Sequence, residues 1–137
     1  MDCPVCENAM ITLELAEVEI DYCARCGGIW LDAGELEMLL GSSKEAQDVL
    51  RSFETCRSTN EKARRCPICL KKMEKIIVGR SGPQMLLDRC GRGDGLWFDK
   101  GELKDVLARA SLDKNSKIQK LLAEMFGHDV KTDQEES

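Results

Sequence analysis

The chain has 137 residues, eight cysteines, little aromatic mass and a formal net charge of −5. That length suits one ordinary domain or two very small ones, and units so small rarely stabilise themselves by apolar burial alone. No run approaches the roughly 18 apolar residues of a membrane span, and Met1-Asp2-Cys3 begins without a basic segment or an apolar run, so a membrane protein and a secreted disulfide scaffold are disfavoured and a cytoplasmic location is expected.

In a reducing compartment, CxxC pairs point to metal. The first is Cys3-Pro4-Val5-Cys6, a tight turn whose amides face the sulfurs and whose two-residue spacer lets both reach one ion. Ile11, Leu13 and Leu15, then Val18, Ile20 and Tyr22, alternate with polar residues about a turn near Ala16-Glu17. This period of two predicts a β-hairpin. After sixteen intervening residues it returns the chain to the second knuckle, Cys23 and Cys26. Two knuckles joined by a hairpin make a zinc ribbon.

A helix is expected next, with Asp32 capping its free amides and Glu35 at its third position reaching back. Leu36, Leu39 and Leu40 give it an apolar stripe that ends near Gly41. Residues 42–65 read as a helical linker, with Val49, Leu50 and Phe53 at helical spacing and a break at Ser58-Thr59-Asn60.

Residues 66–110 restate the first 41. Cys66-Pro67-Ile68-Cys69 is the knuckle, and strands are expected over Met73–Val78 and Gln84–Asp88. Twenty residues separate Cys69 from Cys90, four more than in the first copy, which lengthens the turn around Gly79–Pro83. Trp97 follows Trp30 by 67 residues, as Cys90 follows Cys23. That shared place predicts both indoles packed against hairpin and helix, not displayed as recognition anchors. Asp99 and Glu102 repeat the capping pair, and Leu103, Val106 and Leu107 repeat the stripe. A helix over 111–126 and a disordered acidic tail over 127–137 complete the reading. The fold class expected is small, α+β and metal-bound: two tandem ribbons, each followed by a short helix, with linker and C-terminal helices.

The order CPxC, hairpin, then CxxCGGxWLDxGEL (here Cys23 to Leu36) resembles the transcription-factor-IIB-type zinc-ribbon family of small prokaryotic proteins, over residues 3–40 and again over 66–107. The resemblance implies zinc binding and no particular activity. Carried over by position, Cys3, Cys6, Cys23 and Cys26 are the ligands of site one, and Cys66, Cys69 and Cys90 belong to site two. Gly93 stands where the fourth cysteine of site two belongs. Asp94, flanked by glycines that let the backbone bend, is the candidate fourth ligand, since zinc accepts carboxylate oxygen. Cys56 or a water is the fallback, and an empty site held together by Trp97 and the helix stripes is the alternative. Iron of the rubredoxin type takes the same four thiolates and is the weaker choice of metal.

Function follows from closure and charge. A four-thiolate shell leaves no position for water, and no phosphate loop or nucleophile–base pair occurs. The expectation is a non-enzymatic zinc protein, an interaction module or small subunit with an unidentified protein partner, no small-molecule substrate and no membrane. Residues 1–41 carry one basic and nine acidic side chains, whereas residues 66–110 carry nine basic and six acidic. The basic second copy leaves nucleic-acid binding, or a transcription-associated role, as the alternative, and the acidic first copy opposes it.

Overall fold

The alternating segments form strands β1 (Ile11–Leu15) and β2 (Val18–Tyr22), paired antiparallel with Leu13 opposite Ile20. Glu17 takes the left-handed conformation that closes their turn. The computed structural model describes residues 1–15, 17–41, 43–56, 61–78 and 85–110. In the second copy, β5 (Glu74–Val78) pairs with β6 (Met85–Arg89) in the same way. The residues assigned to the longer turn, the break at Ser58–Asn60, the helix over 111–126 and the acidic tail lie outside the described residues.

Each hairpin is extended by a strand that period-two reading does not reveal. The tryptophan segments themselves are strands, β3 (Ile29–Asp32) and β7 (Gly95–Phe98). They pair with each other, so the copies share one antiparallel sheet of seven strands, in the order β1-β2-β3-β7-β6-β5-β4. Trp30 is opposite Trp97, and Ile29–Phe98 and Leu31–Leu96 flank them symmetrically. Adding 67 to one member of each pair and subtracting 67 from the other reproduces the same set. A local two-fold axis therefore passes through the tryptophan pair.

Among the described residues three helices cover one sheet face. Alpha-helix α1 (Glu35–Leu40) buries Leu36, Leu39 and Leu40, and α3 (Glu102–Ala110) buries the equivalent Leu103, Val106 and Leu107. Helix α2 (Lys44–Arg51) follows α1 in the chain and packs against α3. Its Ser43 Oγ accepts from the Ala46 amide at 3.1 Å, and its buried Ala46 and Val49 point inward. These residues and Ile20, Ile29, Leu31, Ile76, Leu87 and Phe98 form the main core. The opposite face of β3 and β7 carries the indoles, enclosed by Met10, Met73 and the knuckle cysteines. Each indole removes roughly 150–250 Å² from water, a gross gain of about 4–6 kcal/mol before ordering entropy is counted.

Three expectations are corrected. The indoles do not pack against the helices: they lie on the other sheet face, among Met10, Met73 and the knuckle cysteines. Phe53 does not continue a linker helix: α2 stops at Arg51, and β4 (Phe53–Cys56) pairs antiparallel with β5. An open strand edge supplies ladder hydrogen bonds that outweigh a weak local helical pattern. Nor does Asp32 cap α1, whose N-cap is Gly34 without a side-chain bond, and whose first residue is Glu35. Asp32 Oδ1 instead accepts the Trp30 indole N–H at 2.9 Å, and Glu35 Oε1 accepts the Asp32 amide at 2.7 Å. Trp97, Asp99 and Glu102 repeat this chain at 2.9 and 2.8 Å. A buried indole N–H without an acceptor costs more than an exposed helix amide left to water, so the indole takes the carboxylate.

The copies differ between the hairpin strands. In the first, Thr12 Oγ1 donates to Asp21 at 2.9 Å near the surface. In the second, Lys75 Nζ lies 2.6 Å from Asp88 Oδ1, both groups buried, with Glu61 at 3.2 Å as the exposed third member.

Candidate metal centres

Each proline-containing knuckle is a closed loop. The Cys3 amide donates to Asn8 O at 2.8 Å and the Glu7 amide to Cys3 O at 2.9 Å, while Cys66 with Lys71 and Leu70 with Cys66 repeat both bonds at 2.8 Å. Left-handed Glu7 and Leu70 turn the chain after the second cysteine. The enclosed amides face sulfur, Val5 donating to Cys3 Sγ at 3.3 Å and Ile68 to Cys66 Sγ at 3.4 Å. Asn8 Nδ2 adds a donor to Cys6 Sγ at 3.1 Å, a contact with no counterpart at Lys71 in the second copy. Sequence reasoning passed over Asn8. Its position two residues beyond the knuckle was the available signal.

At site one, Cys3 Sγ lies 3.5 Å from Cys26 Sγ and Cys6 Sγ lies 3.3 Å from Cys23 Sγ. All four sulfurs fall within 4.8 Å of one another. Disulfide sulfurs stand about 2.05 Å apart, whereas a tetrahedron with zinc–sulfur bonds of about 2.3 Å has edges of about 3.8 Å. The donors are arranged for a tetrahedral ion, and the described cysteines are all free of disulfides.

Site two gathers Cys66, Cys69, Cys90 and Asp94. Cys69 and Cys90 sulfurs are 3.7 Å apart, and Asp94 Oδ2 lies 3.6 Å from Cys66 Sγ and 3.4 Å from Cys90 Sγ. A zinc ion bonded to sulfur at about 2.3 Å and to oxygen at about 2.0–2.2 Å has a sulfur–oxygen edge of about 3.6 Å. Asp94 is the fourth ligand. Cys56, at the end of β4, joins neither cluster.

Loop geometry explains how position 94 replaces position 93. Both second knuckles close between a cysteine amide and a glycine carbonyl, Cys23 to Gly28 and Cys90 to Gly95, each at 3.0 Å. In the first copy the left-handed residue is Gly27, after Cys26. In the second it is Gly93, with φ of 86°, one position earlier in the aligned loop. The Gly93 amide accordingly bonds to Cys90 O at 3.0 Å, where Gly27 reaches Cys23 O at 2.8 Å. A glycine tolerates that conformation, and it delivers the next side chain to the donor cluster.

Burial pushes the Cys3 and Cys26 thiols upward and the Cys66 thiol to about 12 in the metal-free chain. The Asn8 side-chain donor, chiefly, draws Cys6 down to about 6. Metal must therefore displace protons from buried thiols, which makes loading steeply pH-dependent. Carboxylates respond to the same burial: Glu102, facing Asp99, Asp88 and Glu61, is raised to about 7, and Glu35 is raised as well.

Two four-donor clusters, each built from knuckles joined by a hairpin, define a tandem zinc-ribbon protein. The family model described as transcription factor zinc-finger, of the TFIIB zinc-ribbon type, matches residues 2–42 and 65–109. The chain belongs to that family. No curated protein and no solved structure matches it. Family and donor chemistry together give zinc at both sites, with three thiolates and one carboxylate at the second. Among the described residues no helix is long and apolar enough to cross a membrane.

Proposed function

We propose that this chain is a non-enzymatic, cytoplasmic zinc protein that works as a protein-interaction module or as a small subunit of a complex. The observation that carries this reading is the completeness of both donor sets: four protein ligands converge at each site, and zinc so held has no exchangeable position for substrate or activated water. The metals then act as staples. Glu35 and Glu102, the carboxylates most suggestive of acid–base work, are engaged with the Asp32 and Asp99 amides.

Exposed cations about the second copy favour a second reading, nucleic-acid binding, against which the acidic first copy weighs. Affinity purification of the zinc-loaded chain with mass spectrometry, alongside titration with labelled single- and double-stranded DNA and RNA at two salt concentrations, tests both. Specific protein capture without nucleic-acid binding supports the first reading. Nucleic-acid binding that weakens with salt, without protein capture, replaces it with the second.

A further inference from the structure

The two copies present equivalent knuckle tips with opposite electrical character. At the first tip stand Asp2, Glu7, Asn8 and Ala9; the same positions of the second are Arg65, Leu70, Lys71 and Lys72. The equivalence is structural, since the Asp2–Ala9 bridge recurs as Arg65–Lys72. Arg65 also donates to Leu70 O at 3.2 Å, fixing the base of the tip. Arg92 completes it from the other knuckle: its amide bonds to Cys90 Sγ at 3.4 Å as the Ile68 amide bonds to Cys66 Sγ, so both side chains leave the same metal site from matching positions. Lys71, Lys72 and Arg92 are exposed and form no ion pair among the described residues.

On the same tip, Ile68 is 48% exposed and Leu70 66%. Leu70 stands at a left-handed position, where a branched aliphatic side chain is costly and glycine serves at Gly27 and Gly93. Its display is unrelated to the core. Two exposed aliphatic side chains on a tip that also carries four cations fit a partner that is apolar and negatively charged together. Nucleic acid fits less well, because single strands seek aromatic platforms and both tryptophans and Phe98 are fully buried.

We propose that the tip formed by Arg65, Ile68, Leu70, Lys71, Lys72 and Arg92 docks an acidic amphipathic peptide segment of a partner protein, its aliphatic side chains on Ile68 and Leu70 and its carboxylates on the cations. This rests on the reading of the chain as an interaction module and names the partner's chemistry. Rigid knuckles closed on zinc hold the tip in shape before binding, which lowers the ordering cost.

A phage-displayed library of random peptides selected on the full zinc-loaded chain tests it. Enrichment for peptides mixing Asp or Glu with Leu, Ile or Met is expected. Their binding should displace amide signals at 65–72 and 90–92 in the nitrogen-15 spectrum. Lys71→Glu/Lys72→Glu should weaken binding at least tenfold, Ile68→Ser/Leu70→Ser should do likewise, and Val5→Ser at the other tip should leave it unchanged. Because these side chains are exposed, the variants should keep the wild-type zinc content and spectrum elsewhere. Absence of enrichment, selected peptides without acidic residues, signals displaced only outside the tip, or tighter binding of DNA or RNA at the tip would each overturn the proposal. If partner proteins captured by the wild type are captured equally by both double variants, the tip is wrong and the module reading stands; no capture by any form defeats the module reading itself.

Discussion

Trp97 lies directly on Gly28. A Cβ added to that glycine would stand 2.1 Å from Cζ2 and 2.4 Å from Cη2 of the indole. The converse contact has Trp30 on Gly95, 67 residues later, with Cζ2 at 2.7 Å from the added Cβ. Each copy thus covers its partner's glycine with its own indole. Gly28→Ala should cost about 2–3 kcal/mol, the upper range for overpacking, because the ring is locked by Asp99 and cannot yield. Gly34→Ala is the comparison: it has open space and suffers only its left-handed backbone, about 1 kcal/mol. Equal shifts in chemical denaturation of the zinc-loaded proteins would contradict the interlock.

Zinc content separates the two sites. The wild type should hold two zinc ions, and a chelator titration should remove one before the other, because a hard oxygen replaces a soft thiolate at site two. Asp94→Ala should release that weaker ion at lower chelator while leaving the tighter one unchanged. Two ions held equally in both proteins would deny Asp94 a ligand role.

Cys23→Ser removes a site-one ligand and should unfold residues 3–40, since small ribbons couple metal binding to folding with roughly 10–16 kcal/mol in zinc-finger peptides. The shared sheet extends the damage. Amide signals of Leu96, Trp97 and Phe98, which pair with β3, should shift or broaden too. Undisturbed β7 signals would show that the copies fold independently.

Lys75 and Asp88 form a buried pair, so breaking it and removing it should differ. Lys75→Met leaves the Asp88 carboxylate buried without its hydrogen-bonded partner, a loss of about 3–5 kcal/mol. Lys75→Met/Asp88→Leu should recover most of that loss. A double variant as unstable as the single would point to a need for charge at this place.

Glu102 predicts a pH effect of definite sign. An unfolded glutamate loses its proton near its ordinary value of 4.5, whereas burial keeps the folded group protonated to about 7. Between these values the folded chain binds more protons, so the stability owed to this group is full below the unfolded value and lost as pH rises through 7. Glu102→Gln should gain on the wild type by on the order of 1–2 kcal/mol from pH 5 to pH 8, allowing for partial exposure. Comparing both proteins at each pH cancels the shared loss of zinc in acid. A constant difference would remove the effect.

The hairpins and the seven cysteine ligands were legible because strand period and CxxC spacing are local. Asp94 was legible for a related reason: Gly93 and Gly95 beside it mark a backbone free to bend. The β3–β7 pairing was hidden, since four-residue strands such as Ile29–Asp32 show no period and their partner lies 67 positions away. Phe53 misled because a helical spacing of three apolar residues carries no record of the open edge at β5. Asp32 misled by fitting a capping pattern whose side chain the nearby indole had claimed.

The two-fold axis through Trp30 and Trp97 also bears on synthesis. A ribosome completes the first ribbon some 67 residues before the strand that will flank it exists, so β3, interior in the finished protein, is for that interval an unpaired edge with a bare indole. The surface it offers is self-complementary, since the copy it awaits is a near repeat of itself. Tandem duplication makes the right partner the one always tethered nearby, and the linker sets how soon it arrives.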